Sequence, residues 1–448
     1  LKDPEFRSID GFPHGTDEAI LALSDPPYYT ACPNPFLEEV LEEWQEERQL
    51  IRDELGLPDE KQKPYHCEPF AADVSEGKND PIYLAHSYHT KVPHKAIMRY
   101  ILHYTEPGDI VFDGFCGTGM TGIAAQFCGD KKEVEKLGYR VEKDGVIYDG
   151  DERVSFLGAR KAVLNDLSPI ATYISYNYNS PIDIKIFNRE AKNILHEVKN
   201  ECGWMYETWH PHCNNPNRVK GKINYTVWSD VFRCPHCGEE MVFWKATVDL
   251  KKRKSLKNWH CSQCNSLLSK NPRKNSTALQ VEQVMETFFD PILGHTIQQK
   301  KQEPVMINYS VGKSRYEKQP DKFDLNLISK IHDEKIPYPV PKDRMPEGDE
   351  SRRNDDIGLT HVHHFYTKRN VWILSAIKAR IDKFPQERMK NFLNIWFTAS
   401  QTRLYKLNRY IPKHKRHVGP LSGTLYVSSN IVEISPFYFL NYKANHFA

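Results

Sequence analysis

Three stretches of the chain carry residue types and spacings that can do chemistry. In "LALSDPPYYTACPNP", residues 21–35, an apolar run closes on Asp25 and is followed by Pro26, Pro27, Tyr28 and Tyr29. Proline gives no N–H to a sheet and locks its own backbone, so a carboxylate and an aromatic ring are held there on one stiff turn. A plain surface turn fits the same letters, since Asp-Pro starts turns and tyrosines cover cores. The second stretch holds two C-x-x-C knuckles, Cys234 with Cys237 in "CPHC" and Cys261 with Cys264 in "CSQC", with 23 residues between Cys237 and Cys261. That spacing suits a four-cysteine zinc ribbon, in which each knuckle aims two thiolates at one tetrahedral ion. Gly238 and Asn265, which follow the knuckles, suit their left-handed turns. Disulfides are the competing use, and a reducing cytosol argues against them. Cys202 and Cys213, with His210 or His212 in "CGWMYETWHPHC", offer ligands for a second ion at irregular spacing.

The third stretch is "PGDIVFDGFCGTGMTGIAAQ". Residues 109–112 read as a short buried strand, Asp113 ends it, and Gly114, Gly117 and Gly119 precede an Ala-rich helix from Met120. Strand, glycine turn and helix bring backbone amides to a ligand at the carboxyl edge of an α/β sheet. The turn is not G-x-G-x-x-G and lacks the G-K-[ST] ending of a phosphate loop, which disfavours nucleoside triphosphate chemistry.

These residues resemble the amino-directed DNA methyltransferases. Asp113-Gly114-Phe115-Cys116-Gly117-Thr118-Gly119 is similar to their D-P-F-x-G-[ST]-G motif for S-adenosylmethionine, and Asp25-Pro26-Pro27-Tyr28 to their catalytic D-P-P-Y. In "HSYHTKVPHKAIMRYILHYTEPGD", residues 86–109, His89, Thr90, Lys91 and Pro93 resemble the family's H-x-T-x-K-P segment, with the proline displaced by one residue. Gly114 stands where the family usually has proline. The resemblance spans residues 20–30 and 80–180, and the knuckles suggest the zinc-ribbon-containing, adenine-specific branch. It implies an α/β fold: a Rossmann-like S-adenosylmethionine-dependent methyltransferase core with a zinc-ribbon insertion. Thr90, Lys91, Asp113, Gly114, Phe115, Gly117 and Gly119 are its expected cofactor residues, and Zn2+ is expected as a structural ion on the four knuckle cysteines. The next strand, residues 162–164 in "GARKAVLNDLSPIATYISYNY", would end in Asp166 as acceptor for the ribose hydroxyls. Asp166 as an ordinary helix N-cap is compatible with that role, because Ser168-Pro169 suits a helix start. A polar insertion, residues 129–154, separates the two strands.

The resemblance also explains the stiff turn. An exocyclic amine shares its lone pair with the ring and attacks only when acceptors hold its N–H groups. The Asp25 carboxylate and the Pro26 carbonyl would be those acceptors, the prolines would fix both, and Tyr28 would stack on a base flipped out of the duplex. Direct displacement needs no cysteine nucleophile, and none of the cysteines has the context of a cytosine-C5 enzyme. Ser-Asp-Pro-Pro-Tyr favours adenine N6 over cytosine N4. Chain order raises a second reading, since residues 30–85 hold a charged helix (36–55) and a Pro-rich stretch with too little strand to complete a sheet. A catalytic motif beyond Ala448 would leave Asp25 to Tyr28 as a DNA-contacting or lid segment. A non-catalytic DNA-binding subunit and an RNA or protein-amide methyltransferase are further alternatives.

Around these motifs the chain has 448 residues, 39% hydrophobic, with 61 Lys and Arg against 59 Asp and Glu, so only local charge can point to a partner. No run is apolar enough for a membrane helix and no leader is visible, which reads as cytoplasmic. Leu1 in place of Met and the ending "NYKANHFA" read as a piece of a longer chain. The expected divisions are 1–85 with the DPPY motif, 86–200 the cofactor core, 201–294 the zinc insertion, 295–355 an exposed linker and 356–448 a helical, basic segment. Partners implied are DNA and a restriction or defence-system subunit, with no membrane. "KKRK" at 251–254 reads as a hairpin tip facing phosphate or solvent. Residues 391–430 have no acidic side chain and mix Arg403, Lys406, Arg409, Lys413, Lys415 and Arg416 with Trp396, Tyr405 and Tyr410, as a nucleic-acid contact or as a helix with an aromatic core side. A packed helix is expected over 371–384. His361, His363 and His364 read as ordinary histidines, with no cysteine or carboxylate nearby in the sequence.

Overall fold

The computed structural model describes residues 2–8, 17, 37–58, 65–212, 214 and 218–444. They fall into two compact units, Leu1–Asp183 and Ile184–Ala448. Asp25, Pro26, Pro27 and Tyr28 lie outside the described residues, as does Cys213.

In the first unit the helix Leu37–Glu54 begins with Glu38 and Glu39, which suit the positive end of a helix dipole. Arg48 ties it to Asp109 at 2.6 Å and Glu47 ties it to Lys161 at 2.6 Å. The helix His94–Tyr104 buries Ala96, Met98, Ile101 and Leu102 on one face, the i, i+3, i+4 stripe of a core-facing helix. Strand Ile110–Asp113 then pairs in parallel with Lys161–Leu164, Ile110 opposite Lys161 and Asp113 opposite Leu164. Both strands therefore deliver their carboxyl ends to one edge. Helix Met120–Phe127 follows the first strand, and helix Pro169–Asn179 follows the second, with Ser168 as its N-cap and Pro169 in its first turn. The polar insertion folds as a short helix, Lys131–Glu135, and an antiparallel meander of Arg140–Val141, Val146–Asp149 and Glu152–Phe156. Met98, Leu102, Ala124, Ala125, Cys128, Leu137, Tyr139 and Ile147 pack together beneath it. The unit is mixed α/β, with two parallel strands among its described residues.

The second unit is built on one long strand, Lys220–Arg233, "KGKINYTVWSDVFR", rich in the β-branched and aromatic residues that fit a pleated surface. It is the hub of a nine-stranded sheet and lies between Gln302–Val311 and Asn430–Ile434, antiparallel to both. Two of the expected divisions are corrected here. Residues 295–355 are not a bare linker. They hold strands His295–Lys300, Gln302–Val311 and Ser314–Lys318, then helix Lys322–Asp333, closed by a capping box of Asp321 and Asp324. Proline misled the reading: Pro304 lies inside a strand, and it sits at a register break, where a missing N–H is tolerated. Helix Ile184–Cys202, expected to close the cofactor core at residue 200, belongs to this second unit. There its Phe187 meets Phe392 and Trp396 edge-on at 5.0 and 6.4 Å. Of the two readings of residues 391–430, the helix with an aromatic core side holds for Trp396. It is fully buried on helix Glu387–Ser400 and gives its indole N–H to the Leu440 carbonyl, and Tyr410 is buried too. Lys413, Lys415 and Arg416 remain exposed.

Candidate cofactor site and cysteine cluster

At the carboxyl edge of the parallel pair the chain reverses twice, and the two reversals are laced together. Asn165 gives its N–H to the Asp113 carbonyl and takes that of Cys116 on its own, both at 2.9 Å. Asp166 Oδ2 accepts from the Gly117 amide at 2.8 Å and Oδ1 from the Ser168 amide at 2.9 Å. One carboxylate thus fixes the glycine turn and starts the following helix. Asp113 accepts from the Phe115 amide at 3.1 Å and the Thr121 hydroxyl at 2.5 Å. Gly117 and Gly119 both stand at positive φ, +52° and +74°, where a Cβ is strained. They differ in what lies around them. A Cβ on Gly119 would come within 2.2 Å of Ser175 Oγ, whereas on Gly117 its nearest neighbour would be the Tyr88 ring at 3.6 Å.

That ring faces a cavity of about 290 Å³ walled by Tyr88–Val92 on one side and by Asp113, Phe115–Thr118, Met120 and Thr121 on the other. Thr90, in the expected H-x-T-x-K-P segment, has positive φ (+60°), an uncommon state for a β-branched residue. Lys91 lines the same cavity, but its ammonium is held by the carbonyls of Tyr83 and His86. Thr118 Oγ1 is buried without a hydrogen-bond partner among the described residues. A buried hydroxyl left unpaired is costly, and here it lies beside a space that a ligand can fill. Phe115 is 83% exposed at the mouth. The residues present therefore fit a ligand with both polar and apolar parts, as S-adenosylmethionine has. Cys116 is buried, and burial pushes its thiol up, away from nucleophilic use. A Cβ on Gly114 would stand 3.4 Å from the Phe112 ring.

In the second unit Cys234 and Cys237 follow the long strand, and Cys261 and Cys264 follow strand Asn258–His260. Their sulfurs lie within 4.8 Å of one another, Cys234 to Cys264 at 3.7 Å and Cys237 to Cys261 at 3.6 Å. A disulfide needs about 2 Å; sulfurs on a tetrahedral zinc with bonds of about 2.3 Å stand about 3.8 Å apart. Gly238 (φ +80°) and Asn265 (φ +61°) make the left-handed turns. The hydroxyl and amide of Ser266 lower the pKa of the Cys264 thiol, while that of Cys237, which shares hydrogen bonds with the other three thiols, is pushed up. "KKRK" is the tip of the hairpin Val248–Asp249 and Lys254–Ser255, with Lys251 to Lys254 exposed.

Sequence reasoning missed one cluster. Asp290 lies between His363 and His364, so the carboxylate that seemed to be lacking comes from 73 positions upstream. Among the described residues this trio and the four cysteines are the groups of three or more side chains that can hold a metal; Cys202 and His210 form no such group.

The first unit is mixed α/β, and one family model matches most of it. Residues 9–180 match the family model N6_N4_Mtase, described as "DNA methylase". That segment of the chain belongs to the amino-directed (N6/N4) DNA methylase family. Neither the curated proteins nor the solved structures searched return a match. No helix among the described residues is long and apolar enough to cross a membrane.

Proposed function

We propose that the chain is an S-adenosylmethionine-dependent DNA methyltransferase that modifies the exocyclic amine of a flipped base, adenine N6 before cytosine N4. The family of residues 9–180 supports the general activity. One observation supports the cofactor site above others: the cavity against Gly117, lined by the glycine turn and by Thr118 with its unpartnered buried hydroxyl; Asp166 is not in its wall and acts on it by holding the Gly117 amide. Asp113, Gly117, Gly119 and Asp166 shape the turn, Thr90 and Lys91 stand in the opposite wall, and Phe115 offers an apolar surface. When bound, S-adenosylmethionine supplies an electrophilic methyl group. The chain's own task is to hold the amine nitrogen in line and accept hydrogen bonds from its N–H groups, for which the Asp25 carboxylate and the Pro26 carbonyl are the proposed acceptors and Tyr28 the stacking ring. The four-cysteine cluster supports a structural zinc ion, and the exposed lysine-rich hairpin between its knuckles supports a phosphate contact.

Transfer of tritiated methyl groups to mixed DNA, followed by nucleoside analysis, tests this. Wild type should label adenine, and Asp25→Ala should lose at least about a hundredfold, the scale of losing an organised hydrogen-bond partner in a transition state. Equal labelling by both proteins would move the catalytic turn elsewhere. Absence of labelling with cofactor bound would support a non-catalytic DNA-binding subunit.

A further inference from the structure

The Asp290 cluster in the second unit has no part in methyl transfer as described. Asp290 ends strand Met285–Asp290, and His363 and His364 lie in the 3₁₀ turn Val362–Phe365. Asp290 Oδ2 is 2.9 Å from His363 Nε2 and 3.0 Å from His364 Nε2, with the three side chains 3–5% exposed. Their partners fix where the imidazole protons are. His364 Nδ1 faces the amide N–H groups of Thr360 and His361 at 3.2 and 3.4 Å, so its proton sits on Nε2 and is donated to Asp290. His363 Nδ1 lies 3.1 Å from the Pro341 carbonyl, which only accepts, so its proton is on Nδ1. Two lone pairs, on His363 Nε2 and Asp290 Oδ2, are left facing each other across 2.9 Å in a buried place. A cation must lie between them.

We propose that this cation is a divalent transition-metal ion bound by Asp290 and His363, with His364 as the positioning residue that steadies the carboxylate. Imidazole and carboxylate oxygen are ligands that Mn2+, Fe2+ and Zn2+ share. A ligand histidine whose second nitrogen donates to a backbone carbonyl is the usual outer arrangement at such ions. The other Asp290 oxygen is held by the amides of Ile292 and Leu293 at 2.8 and 3.3 Å, which leaves Oδ2 aimed at His363. Neighbouring ligands on an octahedral ion with bonds of about 2.1 Å stand about 3 Å apart. The cluster opens onto a cavity of about 570 Å³ whose wall includes Trp228, Phe288, Tyr366 and Lys406, so the ion has open positions and a route in. Lys300, in the same wall, is neutralised by Asp230 at 2.9 Å. Lys406 has no ion-pair partner among the described residues. Burial, with Lys300 nearby, pushes its ammonium down to about 8. An ion beside a free lysine calls for an anionic oxygen ligand such as phosphate, although Glu286, Asp333 and Glu334 in the wall limit how much negative charge it can carry.

Mn2+ tests this on the full chain, because the soft cysteine cluster selects other metals. Titration followed by electron paramagnetic resonance should show wild type silencing one equivalent of free Mn2+, and Asp290→Asn and His363→Gln losing it. All three proteins should keep the cobalt-thiolate absorption of the Cys234 cluster, which reports that the unit is folded. Pulsed spectra of the wild-type complex should show coupling to an imidazole nitrogen, a readout that needs no variant. Wild type that binds no Mn2+, a bound ion without that coupling, or folded variants that bind as wild type would each overturn the proposal. The cation would then be a proton on His363.

Discussion

Two glycines two positions apart do different work in the turn after the first strand. Gly119 is enclosed by Ser175 and Asn179, so a methyl group there meets side chains at 2.2 and 2.6 Å as well as a left-handed backbone at φ +74°. Gly119→Ala should cost at least about 2 kcal/mol and lower the thermal unfolding temperature, from backbone strain and overpacking combined. Gly117, at φ +52°, carries the same left-handed strain of about 1–2 kcal/mol on substitution, but its nearest neighbour would be a ring at 3.6 Å, so a methyl group there also intrudes on the cavity. The letters D-G-F-C-G-T-G disclosed the turn but not this difference, which depends on residues 56 to 60 positions later. The Asp290 trio was illegible for the same reason: His363 and His364 show no partner in sequence, and the carboxylate arrives only when the sheet forms. Lys91 stands at the cavity as expected, yet two backbone carbonyls take up its ammonium.

At the scale of elements, strand, turn and helix around Asp113 were readable because each local signal agreed. The strand expected over 109–112 appears as Ile110–Asp113 and the helix at Met120 as Met120–Phe127, but the strand is not buried as expected: Phe112 is 71% exposed. Strands with polar letters were not readable, as His295–Lys300 shows, because they pair through backbone groups that leave no apolar period. The helix His94–Tyr104, which follows the cavity wall, begins on a buried histidine whose two ring nitrogens have no hydrogen-bond partner among the described residues. Burial lowers the pKa of His94, so the folded chain keeps it neutral while the unfolded chain takes up a proton near the ordinary imidazole value. A lowered folded pKa means the contribution is full above that value and is lost as pH falls through it. The unfolding temperature of wild type should therefore drop between about pH 7.5 and 5.5. His94→Leu should show a shallower drop, and parallel curves for the two proteins would refute this account of the helix.

The described residues form a smaller α/β unit, most of whose glycine turn is contiguous in sequence, and a larger sheet unit held by distant residues. At the centre of the larger unit Glu433 accepts from Arg369 at 2.6 and 2.5 Å, from Trp228 at 2.8 Å and from Tyr206 at 3.2 Å. Removing the charge leaves a buried guanidinium uncompensated, so Glu433→Gln should cost about 3–5 kcal/mol in a denaturant titration. A cost below about 1 kcal/mol would show that water reaches the pair. Chelating the zinc ion proposed on the four cysteines should expose Trp259, which is 4% exposed in the core around Cys234 and Cys261, and red-shift its fluorescence. An unchanged spectrum after complete chelation would mean the knuckles hold their shape alone.

If the turn from Asp113 to Gly119 holds S-adenosylmethionine as proposed, equilibrium titration of the full chain with that compound will register it. One molecule should bind saturably per chain, and Gly117→Ala, whose methyl group intrudes on the cavity, should weaken binding at least about tenfold, roughly 1.4 kcal/mol, in a protein that stays folded despite the strain at φ +52°. No saturable binding by wild type, or equal affinity in a folded Gly117→Ala variant, would contradict it.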